Sequence, residues 1–216
     1  PLDPQRLTSA ARMNHTMGKA WVKARKRDPY YRAAKEQGLR SRAVWKLVQI
    51  QERFGLIHVG DTVVDLGAAP GGWSRAAAEM VGPNGRVIAT DRVSMAPIDG
   101  VTILRGDFTA PDVQATIFEA LGTPADVVVC DAAPRLSGNR TVDVARVLDL
   151  ASSALGFAVK ALRPGGGFVV KGFQGEGYRQ FVSDVAAQFD LAKGYVPPAT
   201  TKGSAEIYVV GIGKLD

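Results

Sequence analysis

From Gly60-Asp61 onward, short apolar runs of strand length alternate with longer stretches of helical periodicity, and glycine, proline or asparagine marks the changes. The expected strands are Thr62–Leu66, Arg86–Asp91, Val101–Arg105, Ala125–Asp131, Gly167–Lys171, Leu191–Val196 and Ala205–Gly211. The expected helices between them are Gly72–Val81, Asp112–Leu121, Val142–Leu162 and Tyr178–Gln188. Such alternation predicts an α/β fold, a mainly parallel sheet covered by helices on both faces. The last two strands are joined by a Pro-Pro and Gly-containing stretch without a helical pattern, which predicts a hairpin and hence an antiparallel final strand.

The 216 residues suffice for one such domain. The net charge of +6 is unevenly spread: Pro1 to Lys46 carry 12 Lys or Arg against three acids, and the rest of the chain 15 against 18. This predicts a basic N-terminal extension and helix over 1–54, serving a polyanion such as RNA, ahead of a single globular unit over 55–216. Trp21, Tyr30, Tyr31 and Trp45 lie within the basic segment as candidate stacking platforms. Before Phe54 a helical face is expected from Leu39, Ala43, Leu47, Ile50 and Phe54, with Arg42, Lys46, Gln49 and Arg53 on a neighbouring stripe. No apolar run reaches bilayer length, and Pro1 to His15 lack the apolar stretch of a secretory leader. The single cysteine, Cys130, excludes an internal disulfide, so a cytoplasmic setting is expected. His15 and His58 have no partners at ligand spacing, and no metal is expected.

The most informative local motif is Asp65-Leu66-Gly67-Ala68-Ala69-Pro70-Gly71-Gly72-Trp73, placed where the first strand turns into the first helix. Gly67, Gly71 and Gly72 allow close backbone approach to a ligand. Their spacing is neither the dinucleotide G-x-G-x-x-G nor a P-loop, which argues against a nicotinamide oxidoreductase. An acid at Asp65 disfavours a pyrophosphate and suits a ligand ammonium, as in the methionine part of S-adenosylmethionine. Asp91 ends the second strand and is suited to ribose hydroxyls, and Asp107 follows the third and is suited to an adenine amino group.

A second group is polar at strand ends. Asp131 closes an apolar run, Lys171 closes another, and Glu206 begins the antiparallel strand, so all three fall at one sheet edge. A structural ion pair would explain a buried lysine there, and so would catalysis. A lysine acting as proton acceptor must be neutral, against a reference pKa of about 10.4. Lys46 is the candidate source of a nearby positive charge that would favour the neutral form, with Asp131 and Glu206 orienting the lysines.

Arg40 to Leu47, Asp65 to Trp73, Cys130-Asp131-Ala132-Ala133-Pro134 with Ser137-Gly138, and Val170 to Gly175 together closely resemble the RrmJ/FtsJ family of large-subunit ribosomal RNA 2′-O-methyltransferases, also named RlmE. The resemblance runs from about Asp28 to Gly211. It implies a Rossmann-like methyltransferase fold with a seven-stranded, mostly parallel sheet and an antiparallel last strand. It implies a catalytic tetrad of Lys46, Asp131, Lys171 and Glu206, with Lys171 as proton acceptor, and cofactor contacts at Gly71, Trp73, Asp91, Asp107 and Asp131. The stretch from Thr200 to Ala205 departs from bacterial members in lacking arginines, while Lys26 to Glu36 resembles archaeal and eukaryotic relatives, some of which methylate tRNA.

The expected reaction is transfer of a methyl group from S-adenosylmethionine to a ribose 2′-hydroxyl, on a uridine of 23S-type RNA, leaving S-adenosylhomocysteine. Ribosomal RNA, within the large subunit, is the expected partner, gripped by Arg40 and Arg42, without a membrane or an obligate protein partner. The alternatives are a tRNA or messenger-cap 2′-O-methyltransferase and a non-catalytic ribosome-assembly factor that binds RNA.

Overall fold

The computed structural model describes residues 41–216, and Ala43–Asp216 form one compact unit. Its elements in chain order are α1 (Val44–Phe54), β1 (Thr62–Leu66), α2 (Gly72–Val81), β2 (Arg86–Asp91), β3 (Val101–Arg105), α3 (Pro111–Leu121), β4 (Ala125–Cys130), α4 (Arg140–Ala161), β5 (Leu162–Phe173), α5 (Tyr178–Ala186), β6 (Phe189–Tyr195) and β7 (Glu206–Lys214). α1 begins at Val44, with Ala43 of the expected helical face at its N-cap, while Leu39 of that face lies outside the described residues together with Arg40, Trp21, Tyr30 and Tyr31.

The seven strands form one sheet in the order β3-β2-β1-β4-β5-β7-β6. Only β7 runs antiparallel to its neighbours, as its short connection from β6 requires. The Gly-rich segment after Arg163 was expected as a turn ahead of the strand; instead β5 begins at Leu162, which pairs with Ala125, and a register shift between Ala125 and Val127 absorbs the glycines.

Strand alternation divides the buried side chains between two helical layers. Val64, Leu66, Val128, Cys130, Phe168, Val170 and Val209 join the main core with side chains of α3, α4 and α5, including Ile117, Leu148, Phe157 and Phe181. Residues of the opposite phase, Val63, Asp65, Val129, Val169, Lys171 and Tyr208, are buried on the other face. There α2 packs on β1 and β2, and α1 packs on α2.

Local signals set the ends of several elements. Gly55 closes α1 in the left-handed region at φ 61°, and the Gln51 side chain exchanges two hydrogen bonds with Ile57, clipping the helix to the segment leading into β1. Asn139 caps α4 by accepting from the Thr141 and Val142 backbone N–H groups. Among the described residues no helix is long and apolar enough to cross a membrane.

Candidate active site

Register explains how distant residues meet. Lys171 lies directly opposite Tyr208 in the β5–β7 pair, and Phe173 opposite Glu206. Residues two apart on a strand share a face, so Glu206, Tyr208 and Lys171 point the same way. Cys130 is level with Val170, which puts Asp131, the next residue, level with Lys171. The α1 helix then brings Lys46 over the same face.

The four expected tetrad residues are brought together as two ion pairs. Lys46 Nζ meets Glu206 Oε1 across 160 positions of chain. Lys171 Nζ donates to Asp131 Oδ1 at 3.0 Å and also to the Asp131 backbone carbonyl. Both lysines are nearly excluded from solvent, at 9% and 8% exposure. Lys46, expected to bring positive charge to this edge, faces the protein because the chain folds back over its helix: its neighbour Gln49 accepts the Ala199 backbone N–H at 2.8 Å. The ammonium expected to lend positive charge to Lys171 is thus engaged by Glu206.

Tyr208 was not singled out from sequence. Its hydroxyl donates to Asp131 Oδ1 at 2.5 Å and stands 3.2 Å from Glu206 Oε1, so one phenol touches both ion pairs. The signal that could have found it is its place two residues after Glu206 on the same strand. Burial, then the two carboxylates, holds its phenol well above the usual tyrosine range, so it stays protonated.

Beside this cluster lies a cleft of about 410 Å³, large enough for a nucleoside ligand. Its wall includes Gly67, Asp91, Asp107 and Asp131 of the expected cofactor set, joined by Arg92, Phe108 and the Ala132–Pro134 loop. Gly67 turns the chain at φ 71°, and a Cβ there would lie 2.4 Å from the Ala132 Cβ. The backbone on both sides of the cleft is therefore as close as glycine allows. Asp91 holds the loop from below, accepting the Ala69 backbone N–H at 3.0 Å and that of Val93 at 2.8 Å. Asp107 accepts both the hydroxyl and the backbone N–H of Thr109, which keep its carboxyl below the usual range. The Pro134–Asn139 loop is tied to α4 through Asp143, which accepts from Ser137 and Gly138.

The remaining expected cofactor residues lie around the loop. Gly71 adopts φ 96° as the N-cap of α2, and Gly72 is its first residue. Trp73 is buried, donates from its indole nitrogen to the Ala43 carbonyl at 2.8 Å, and sets its ring 5.6 Å from that of Tyr208. Asp65 lies deeper: Ser74 Oγ donates to its Oδ2 at 2.6 Å, and its buried Oδ1 has no hydrogen-bond partner among the described residues. Burial, reinforced by Asp131 and Asp91 against the opposing Ser74 bond, raises its pKa to about 7. Cys130 is buried and its thiol pushed up to about 12 by that burial, which removes it as a nucleophile. No group of His, Cys, Asp and Glu suited to a metal occurs among the described residues.

The chain matches the FtsJ-like methyltransferase family model over residues 39–214. It is 51% identical to the ribosomal RNA large subunit methyltransferase E of Methanocella arvoryzae, over 89% of this chain and 74% of that protein. It is 46% identical to the protein of the same name from Nitrosospira multiformis, over 92% of this chain and 97% of that one. Among solved structures it is similar to one from Plasmodium falciparum, provisionally assigned as a ribosomal RNA methyltransferase. That match has a TM-score of 0.74 at 25% identity and covers 82% of this chain and 98% of that one.

Proposed function

The chain belongs to the FtsJ-like methyltransferase family, and from that premise we propose that it methylates a ribose 2′-hydroxyl of large-subunit ribosomal RNA, with S-adenosylmethionine as methyl donor and a uridine as the target. The observation that carries the reading is Asp131. Its carboxylate holds Lys171 and Tyr208, while the same residue lines the nucleoside-sized cleft. The proton-handling cluster and the cleft therefore share a wall.

The residues present fit the donor. The unpartnered, buried Asp65 Oδ1 suits the ammonium of its methionine part. Asp91 offers carboxylate oxygens for ribose hydroxyls, and Asp107 an acceptor for an adenine amino group. Gly67 keeps the loop backbone free of a side chain that would meet Ala132. When bound, S-adenosylmethionine supplies a methyl group already activated on a sulfonium.

The protein then has to align an attacking oxygen and receive its proton. Lys171 Nζ is the acceptor for the 2′-hydroxyl proton. Asp131 fixes Lys171 through its carboxylate and its carbonyl, leaving the amine little orientational freedom. Lys46, held by Glu206, places a positive charge beside the same space and stabilises negative charge developing on the ribose oxygen. Arg42 and the basic residues preceding it, Arg40 among them, supply phosphate contacts that are independent of base identity.

Tritiated S-adenosylmethionine and undermodified large-subunit RNA test the reading. Label is expected on a ribose, and Lys171→Ala is expected to abolish its transfer while leaving donor binding intact. Label on a base, or wild-type transfer by Lys171→Ala, contradicts it.

A further inference from the structure

The two ion pairs of the proposed site are not independent, because one buried phenol lies between them. Tyr208 is 0% exposed and sits with its ring 5.6 Å from both the Lys46 ammonium and the Trp73 ring. Its hydroxyl is 2.5 Å from Asp131 and 3.2 Å from Glu206, two carboxylates that would otherwise face each other with only their lysines to neutralise them. A phenol has one proton and can satisfy one acceptor at a time. The shorter contact assigns that proton to Asp131.

Resting on the methyltransferase reading above, we infer that Tyr208 is a positioning residue. Its O–H takes up part of the Asp131 charge, which fixes the Asp131–Lys171 pair and weakens the hold of that carboxylate on the proton-accepting amine. The charged and titratable groups around the phenol are Lys46 on α1, Asp131 after β4 with Asp65 of β1 behind it, Lys171 on β5, Tyr195 opposite Tyr208 on β6, and Glu206 on its own strand. Removing the O–H leaves their charges unchanged but strips Asp131 of its neutral donor. The negative charge then holds protons on the cluster more tightly, and the macroscopic acid limb of the rate profile moves to higher pH.

The test compares wild type, Tyr208→Phe, and a protein carrying 3-fluorotyrosine at position 208, whose more acidic phenol is a stronger donor. Methyl transfer from S-adenosylmethionine to large-subunit RNA is measured across pH. For Tyr208→Phe, kcat at neutral pH is expected to fall by about ten- to a hundredfold, the scale of a hydrogen bond to a charged group. The loss should shrink as pH rises, with KM for S-adenosylmethionine unchanged. The fluorotyrosine limb should lie on the opposite side of wild type. If the phenylalanine variant fails to fold, the fluorotyrosine limb alone decides. A loss uniform across pH, or limbs that coincide for all three proteins, overturns the inference and leaves the methyltransferase reading intact. Absence of transfer by the wild-type protein overturns both.

Discussion

Asp65→Asn removes a charge from the site while keeping its shape. The wild-type carboxyl is 1% exposed, with one oxygen bonded to Ser74 and the other unpartnered among the described residues. Burial chiefly, with added repulsion from Asp131 and Asp91, raises its pKa from the ordinary 3.8 to about 7. A gap of roughly three units at 1.36 kcal/mol each corresponds to about 4 kcal/mol. Because the folded state binds the proton more tightly than the unfolded one, this stability is fully present below pH 3.8, declines as pH rises, and is lost above about 7. In Asp65→Asn the amide oxygen still accepts from Ser74 and no longer titrates. The variant should therefore match wild type at the acid end and exceed it at pH 8 by about 4 kcal/mol, on the order of 10 °C in Tm for a domain of this size. A ligand ammonium beside Asp65 neutralises the same charge, so S-adenosylmethionine should raise the wild-type Tm at pH 8 by more than it raises that of the variant. Thermal melts from pH 4 to pH 8, with and without S-adenosylmethionine, read both effects. A Tm difference that does not grow with pH, or a variant less stable than wild type at pH 8, refutes the reasoning.

Two further substitutions probe the frame around the site. Gly67→Ala forces a side chain into a left-handed backbone at φ 71°, at about 1–2 kcal/mol, and sets its Cβ 2.4 Å from that of Ala132. Chemical denaturation should show stability lowered by at least that amount, and calorimetric titration should show weaker S-adenosylmethionine binding, because Ala132 on the cleft wall has to shift. Asn139→Ala removes the acceptor for two N–H groups at the start of α4 and should lower stability by about 1 kcal/mol, with Asn139→Asp retaining it. Chemical denaturation measures that difference.

The strand and helix pattern was legible because short apolar runs mark the central strands, Val127 to Cys130 ahead of Asp131 being the clearest, and turn residues separate them from helical stretches. The reversal of β7 followed from the absence of a crossover helix between it and β6. The β5 start was misread because Arg163-Pro164-Gly165-Gly166-Gly167 has turn composition, yet pairing with Ala125 draws it into the sheet. Helical period alone did not separate Lys46 from Arg42, Gln49 and Arg53 on the same stripe; its burial depends on β7 and Ala199 returning from 150 or more positions away, which no local period encodes. Tyr208 was hidden for the opposite reason. In Ile207-Tyr208-Val209-Val210 it reads as ordinary core, and only the tertiary approach of Asp131 reveals its hydroxyl as a shared donor.

The central claim is that the amine of Lys171 and the donor methyl group face each other across the Asp131 end of the cleft. A crystal structure with S-adenosylmethionine tests it most directly. The account predicts the ammonium of the donor near Asp65, its adenine near Asp107, and its methyl group directed at the space between Lys46 and Lys171. A donor bound the other way round, with its methyl group toward Arg92 and Asp107 and away from Lys171, contradicts it.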